Sequence, residues 1–327
     1  MSNNKRILAE NICIGFSVLL IAICISGCGS DSPSGPDDPD NSILGATWTV
    51  RTPSAIDGMD DICWAGNKFV AVGTSSPNLP AVSADGVTWQ SISGTFDAQN
   101  VDFFNGHIVA GEYNMLFHSL NGISWDTIHV VQGADTFLVR TYSHGLFTDN
   151  NGFVAWAYDK TQTNTYLVKS NDGVSWSISP EPSPMWYRQS RATTTGSTVE
   201  VGTDGTVRQN GSVVNGLSGF EDVVYTGSGF VMVGQNGSAK SNDGVTWTEY
   251  PSLELNRLTF TGTLFFALGP QEGDSSIIRT VYTSSDAIAW TQKYRDDDGP
   301  WGLSPRIIYG VNRIIIARQD GGILTSP

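Results

Sequence analysis

Charged residues are few in this sequence. Asp, Glu, Lys and Arg make up 15% of its 327 residues, against about 25% in an average soluble domain. Beyond the N-terminus no stretch keeps a sustained 3.6-residue hydrophobic period, which argues against long helices. There are 36 glycines and 10 tryptophans, a balance typical of short strands, tight turns and large buried rings. These features predict an all-β protein.

Positive charge is in short supply as well. The formal net charge is −14. An acidic surface repels phosphate backbones and anionic lipid headgroups. We therefore exclude nucleic acid as a partner, and also a peripheral basic contact with a membrane.

Recognisable catalytic and metal-binding motifs are missing. The sequence has no Gly-x-Ser-x-Gly nucleophile elbow. His107, His118, His129 and His144 show no metal-ligand spacing and have no cysteine cluster beside them. The run Asp296-Asp297-Asp298-Gly299 has the carboxylates that calcium prefers but lacks the spacing of an EF-hand loop, so a solvated turn is the alternative. We predict no catalytic residue, no metal and no cofactor, with calcium at this run left open.

Adjacent acidic pairs offer one route to an enzyme. Asp60-Asp61 and Glu221-Asp222 could supply the two carboxylates of a glycoside hydrolase. Such pairs are expected by chance in an acidic chain, and the alternative interpretation is a solvated loop.

Cysteine is rare, and its positions indicate secretion rather than disulfides. Residues 1–27 resemble a signal peptide: an apolar run at 12–25, too short to span a bilayer, ends in the lipobox-like Ile25-Ser26-Gly27-Cys28. We predict lipidation at Cys28, a flexible tether over 28–41 and a folded domain over 42–327. Gly29 after the cysteine favours the outer membrane of a bacterial envelope. Cys63, in an apolar run, is predicted to be a core residue.

A repeated heptapeptide is the main positive feature. It recurs at 83–89, 119–125, 170–176 and 241–247, with worn copies at 284–290 and 208–214. Asp or Asn at its third position can accept backbone hydrogen bonds, Gly at the fourth can take a positive φ, and a terminal Trp can pack between sheets. The predicted structural positions are Asp85, Trp89, Asn121, Trp125, Asp172, Trp176, Asp243, Trp247, Asp286 and Trp290.

A further copy is split between the two ends of the domain. The last residues, from Gly322, match the strand that enters the heptapeptide, and Gly45 to Trp48 match the part that leaves it. The period is about 40 residues, as in propeller blades. Two apolar strands precede each hairpin, as at 62–65 and 69–73, which gives four strands per repeat.

We therefore predict a seven-bladed β-propeller of four-stranded antiparallel blades, with the last blade closed by the N-terminal strand. Six or eight blades remain open because blade four is weakly marked. A β-sandwich pair and a solenoid are the alternatives. Neither requires chain ends that complete one repeat, whereas a closed ring does, because closure removes exposed sheet edges.

The heptapeptide resembles the Asp-box, or bacterial neuraminidase repeat, in a shortened form that is also similar to propellers related to photosystem II assembly factors. The resemblance covers 41–327 and implies the fold, not the activity. Sialidases of this family carry an Arg-Ile-Pro motif. The similar Arg51-Thr52-Pro53 lies next to Trp48, on what we expect to be an outermost strand. We therefore interpret Arg51 as a solvated residue.

Loops between blades gather at one mouth of a propeller channel, where binding residues usually lie. We expect these loops at 126–145, 177–191 and 291–306. The first contains Arg140 and His144. The candidate binding residues at the mouth are Trp186, Tyr187, Arg188, Arg191, Arg257, Trp301 and Arg306. Packing of the rings against the blade tops is the alternative.

The functional interpretation is a monomeric, lipid-anchored module of the cell envelope. We expect it to bind or scaffold an envelope or extracellular protein, or a polysaccharide. A glycan-active enzyme, a sialidase-like hydrolase or a lyase, is the alternative.

Overall fold

The computed structural model describes residues 44–56, 58–74, 79–92, 96–112, 114–141, 145–149, 151–180, 188–271, 274–296, 306–318 and 322–327. Within these ranges the chain forms strands and one 3-10 turn, Ser54–Ile56, and no α-helix. None of these residues lies in a helix long and apolar enough to cross a bilayer.

The strands form seven antiparallel sheets. Strand β1 is Thr49–Arg51. Blade one is β2 (Met59–Trp64), β3 (Phe69–Gly73), β4 (Ala81–Ser83) and β5 (Gln90–Ser91). Blade two is β6 (Asn100–Phe104), β7 (His107–Glu112), β8 (Met115–Ser119) and β9 (Asp126–Ile128). Blade three is β10 (Val130–Gln132), β11 (Asp135–Arg140), β12 (Leu146–Asp149), β13 (Gly152–Tyr158), β14 (Thr165–Ser170) and β15 (Ser177–Pro180).

The remaining blades follow in chain order. Blade four is β16 (Arg188–Thr193), β17 (Thr198–Gly202), β18 (Val207–Gln209) and β19 (Ser212–Val213). Blade five is β20 (Phe220–Tyr225), β21 (Phe230–Gly234), β22 (Gly237–Ser241) and β23 (Thr248–Pro251). Blade six is β24 (Arg257–Phe260), β25 (Phe265–Gln271), β26 (Asp274–Ser284) and β27 (Thr291–Arg295). Blade seven is β28 (Arg306–Gly310), β29 (Arg313–Ala317), β30 (Ile323–Ser326) and β1.

The innermost strands of the blades form a closed ring. Contacts run from β2 to β6, β12, β16, β20, β24, β28 and back to β2. The hydrophobic core lies between neighbouring blades: Val70 and Val72 of blade one pack with Val101 and Ile108 of blade two. The seven-bladed propeller predicted from the sequence is confirmed.

The two ends of the domain meet in blade seven, as predicted. Strand β1 pairs with β30, with Val50 opposite Leu324. The N–H of Gly45 donates to Ser326 Oγ at 3.0 Å and to the carbonyl of Pro327 at 3.1 Å. Trp48 Nε1 donates to the Gly45 carbonyl at 3.1 Å. The chain ends thus rebuild a heptapeptide turn without a covalent link.

The intact heptapeptides share one hydrogen-bond pattern. In blade one, Ser83 Oγ accepts from Gly86 N at 2.8 Å, and Asp85 Oδ1 accepts from Val87 N and Thr88 N at 2.8 Å. Gly86 has φ +70°. In blade three the equivalent backbone hydrogen bonds, of which that from Ser175 N–H has the largest effect, lower the pKa of Asp172 to about 2.

In the intact heptapeptides the outer strand begins at the residue after the Trp, because the Ser or Thr before the Trp remains in the turn. One hairpin differs from the sequence-based expectation. Residues 208–214 are not a worn heptapeptide. Gln209 pairs with Ser212 around the two-residue turn Asn210-Gly211, in which both residues have a positive φ.

Residues 126–145 do not form one long loop. They contain the outer strand of blade two and then the hairpin of β10 and β11. Strand β11 pairs with the end of β13, Leu138 opposite Tyr158, so that β11 and β12 share the innermost position of blade three. Phe137 and Val139 are buried on this hairpin. An added pair of strands therefore replaces most of the expected loop. The expected loops at 177–191 and 291–306 are also shorter than predicted, because the outer strands β15 and β27 occupy their first residues.

Candidate functional site

Four consecutive blades place a charged side chain within the first three residues of the innermost strand. The register shows these residues at one level: Asp222 pairs with Val233, Arg257 with Leu268, Arg306 with Ala317 and Asp61 with Val72. Each innermost strand starts at the end of the ring where the connection from the previous blade arrives. We call the arc formed by Asp222, Arg257, Arg306 and Asp61 the mouth.

Asp61 joins three blades. Its Oδ2 accepts the Val101 N–H of blade two at 3.0 Å, while Oδ1 accepts Ile62 N at 2.9 Å and Arg306 Nε of blade seven at 2.8 Å. Burial raises the pKa of Asp61, although Arg306 and the backbone donors lower it. This carboxylate is a buried inter-blade link, not the solvated loop residue considered from the sequence.

Asp222 makes the same arrangement between blades four, five and six. Its Oδ2 accepts Leu258 N at 2.8 Å, and its Oδ1 accepts Val223 N at 2.9 Å and Ser190 Oγ. A β-bulge precedes both Asp222 and Asp61, and bulges re-aim side chains. With their oxygens occupied by blade-to-blade bonds, these two carboxylates are poor candidates for glycoside hydrolysis.

Arg257 and Arg306 stand next to each other in the mouth. The Arg257 side chain is 6% exposed, and one of its Nη atoms donates to the Asn256 carbonyl at 2.8 Å. Burial lowers the pKa of Arg257, Asp222 opposes this, and the neighbouring Arg306 adds to it. Burial alone would lower the pKa of Arg306, but Asp61, Asp102 and Asp222 raise it. The Arg306 side chain is 28% exposed, so a ligand can reach it.

Arg191 does not join them. It lies one residue beyond the level of the mouth and pairs with Glu200 of the neighbouring strand. Its Nη2 is 3.3 Å from Asp149 Oδ2, and its Nη1 is 3.6 Å from Glu200 Oε1. The expectation that three arginines line the mouth together therefore holds for two of them, because two carboxylates hold Arg191 between blades three and four.

Of the other predicted mouth residues, only Arg188 belongs to the described part of the chain. Trp186, Tyr187 and Trp301 lie outside the described residues, as does Cys28. Arg188 begins β16. Arg51 lies on β1, the outermost strand of blade seven, where its Nε donates to Thr325 Oγ1 at 3.0 Å.

The expected calcium run is represented by its first residue. Asp296 is buried and pairs with Arg318 at 3.0 Å. Its three followers lie outside the described residues. In the part of the chain that the structure describes, no three His, Cys, Asp or Glu side chains gather as a metal site would require.

The histidines hold a contact that spacing did not predict. His107 Nδ1 and His118 Nε2 lie 2.9 Å apart across the β7–β8 hairpin. Burial lowers the pKa of His118, and His107 lowers it further. The bond requires one neutral ring, since two imidazolium rings have no acceptor. The eleven-residue spacing of His107 and His118 is compatible with a contact across a hairpin, but the sequence predicts that contact only when the pairing of β7 with β8 is known.

Comparison with known proteins supports the fold. No protein-family model and no curated protein matches the chain. Among solved structures, one of YCF48 bound to D1 peptide shares 16% identity, covers 85% of this chain and 94% of that one, and has a TM-score of 0.59. Virginiamycin B lyase from Staphylococcus aureus shares 10%, covering 86% and 99% with a TM-score of 0.57. The Neurospora crassa Pan2 WD40 domain shares 7%, covering 86% and 95% at 0.58. At these identities the likeness shows a β-propeller, and the fold alone.

Proposed function

We propose that this protein is a partner-binding propeller whose mouth takes a carboxylate-bearing segment of another protein. The observation that carries the proposal is the adjacent pair of Arg257 and Arg306, with the Arg306 side chain partly exposed, in a chain of net charge −14. A guanidinium group suits a carboxylate, and Arg306 is the one of the two that a ligand can reach, since the Arg257 side chain is 6% exposed. Polypeptide binding by a propeller of similar fold is exemplified by YCF48 bound to D1 peptide.

Other residues are proposed to assist the arginine pair in binding a protein partner. Asp61 and Asp222 flank the arginine pair, and Asp61 holds Arg306 in place through a hydrogen bond. Trp186, Tyr187, Arg188 and Trp301 are proposed to add aromatic and cationic contacts, since these residue types are enriched at binding hot spots. The guanidinium group of Arg306 favours a chain end or an acidic side chain over a neutral sugar.

Arg306→Ala should weaken binding of carboxylate-terminated peptides about tenfold or more, because a charge-assisted pair is lost. The measurement is a peptide array carrying each sequence once with a free C-terminal carboxylate and once as the amide. Arg295→Ala, on the outer strand of blade six, is the control and should bind as the wild type does. Equal binding of acid and amide forms, or of wild type and Arg306→Ala, would contradict the proposal. Selective binding of acidic polysaccharide would also contradict it, since that assigns the mouth to a glycan.

We propose in addition that the propeller is tethered to the outer membrane. Residues 1–27 would be removed as a signal peptide, Cys28 would carry the lipid, residues 28–41 would form the spacer and 42–327 the folded domain. The lipobox-like order before Cys28 and the Gly, Ser, Pro, Asp and Asn composition after it support this. Cells fed a labelled fatty acid should label the wild type and not Cys28→Ser. Label retained by that variant would rule out this attachment.

We also infer that the domain belongs with the Asp-box propellers. The shared pattern of a serine and an Asx oxygen accepting backbone N–H groups supports this, as does the Trp Nε1 bond to the Gly carbonyl in blades two, three and five.

A further inference from the structure

Each intact heptapeptide turn rests on the blade before it. A Cβ added to Gly122 of blade two would lie 3.1 Å from Val82 and 3.2 Å from Val70 of blade one. Gly173 faces Val109 of blade two in the same way, and Gly244 faces Val199 of blade four. We call the receiving surface of each blade, on its second and third strands and the turn that leads into the second, its seat.

The seats also bind the backbone of the turn. Lys68 Nζ of blade one donates to the Asn121 carbonyl at 3.0 Å. Ser197 Oγ of blade four donates to the Asp243 carbonyl at 3.1 Å, and Lys240 Nζ of blade five donates to the Asp286 carbonyl at 2.9 Å. In all three cases the acceptor is the third residue of the heptapeptide. The molecule thus shows repeatedly what a seat recognises.

Blade four provides no such turn for the seat of blade three. In blade three, Lys169 pairs with Ser177, so seven residues lie between them. In blade four, Gln209 pairs with Ser212, and only Asn210 and Gly211 lie between. A Cβ added to Gly211 would meet nothing within 4 Å. The blade-four turn is five residues shorter than the others and does not rest on blade three.

The seat of blade three accordingly receives no heptapeptide turn. A groove of about 450 Å³ lies beside it at Lys169, and its lining includes Asp149, Asn151, Lys169, Asn171, Trp176 and Ser177. Lys169 pairs with Val154 as Lys240 pairs with Val231, so the two lysines occupy equivalent positions. The Lys169 side chain is 43% exposed, and its Nζ lies 3.6 Å from Asp149 Oδ2. A donor equivalent to Lys240 therefore faces solvent instead of a turn carbonyl.

We propose that this groove binds an Asx-Gly turn presented by a partner polypeptide, held as the internal turns are held. The occupant is defined by the filled seats: a backbone carbonyl for Lys169 and a glycine that fits against the sheet. The groove lining is polar, with Asp149, Asn151, Lys169 and Asn171 among its residues, and Asp149 pairs in turn with Arg191 of blade four. A turn rich in backbone and hydroxyl groups suits this lining better than an apolar helix.

The test uses the purified full chain and a fluorescent peptide that copies residues 241–247. Anisotropy should show saturable binding. Lys169→Ala should weaken it about tenfold, the usual cost of losing a hydrogen bond from a charged donor, and Lys169→Arg should keep most of it. Lys160→Ala, an exposed lysine on the β13–β14 turn, is the matched control and should have no effect. A peptide with alanine at the position of Asp243 should bind poorly, because that side chain holds the turn.

A second variant fills the groove from within. Replacing Asn210 and Gly211 by a copy of residues 241–247 should seat a turn on blade three and abolish peptide binding. Peptide binding that is lost in Arg306→Ala but kept in Lys169→Ala would place the peptide at the mouth instead of the groove and would contradict this proposal, which keeps its failure distinguishable from that of the proposed function. Absence of saturable binding, or equal binding by wild type, Lys169→Ala and the filled variant, would overturn the proposal. A groove that binds a sugar but not the peptide would also overturn it.

Discussion

Asp61→Ala is expected to lower the free energy of unfolding by about 3 kcal/mol. The substitution removes the acceptor of two backbone N–H groups and the partner of Arg306. Breaking a buried ion pair costs about 3–5 kcal/mol. The lower end applies because Arg306 keeps 28% of its side chain exposed and can be partly hydrated. Urea or thermal unfolding followed by tryptophan fluorescence gives the value.

The adjacent Asp60→Ala is the control. Asp60 is exposed at the bulge and accepts two hydrogen bonds from Thr74 of the same blade. Its replacement should therefore lower the free energy of unfolding by less than about 1 kcal/mol. If the two variants unfold alike, the Asp61 carboxylate does not link blades one, two and seven in the way described.

Phe266→Ala is expected to cost about 3–5 kcal/mol, the usual loss for truncating a buried phenylalanine. Phe266 is fully buried at the interface of blades six and seven, where Gly45 and Trp48 pack. Its ring lies 6.4 Å from that of Trp48, edge to face. Removing it should loosen the closing turn as well as the core. Chemical denaturation measures the loss, and limited proteolysis should show earlier cleavage near residue 48.

Val245→Ala, whose side chain is 57% exposed on a heptapeptide turn, is the comparison and should change stability by less than about 0.5 kcal/mol. A Phe266→Ala protein as stable as this control would mean that the closing turn does not depend on the ring packed beneath it.

The fold could be predicted because its signals are local. The hydrogen bonds of the heptapeptide turn join residues within seven positions of one another, so the order of Ser, Asx, Gly and Trp along the chain predicts the turn directly. The split copy then required the ends to meet, and Gly45 and Ser326 do meet.

What could not be predicted depends on pairing across the ring. Whether Arg191 faces Arg257 or Asp149 is decided by a one-residue difference in level, which a repeat of about 40 residues does not fix. The His107–His118 contact and the link through Asp61 need the hairpin register and the order of blades. Residues 208–214 resembled a heptapeptide in composition, but the chain is five residues too short for that turn.

The closing strand has a mechanical consequence. The polypeptide upstream of Leu44 enters the ring through β1, at the outer rim, and not through the channel wall. Tension applied from that side is first borne by the bonds of Gly45 to Ser326 and Pro327, and then by those of Thr49–Arg51 to β30. These bonds carry the load before it reaches the innermost strands, so the outer rim shields the mouth from tension in the preceding chain.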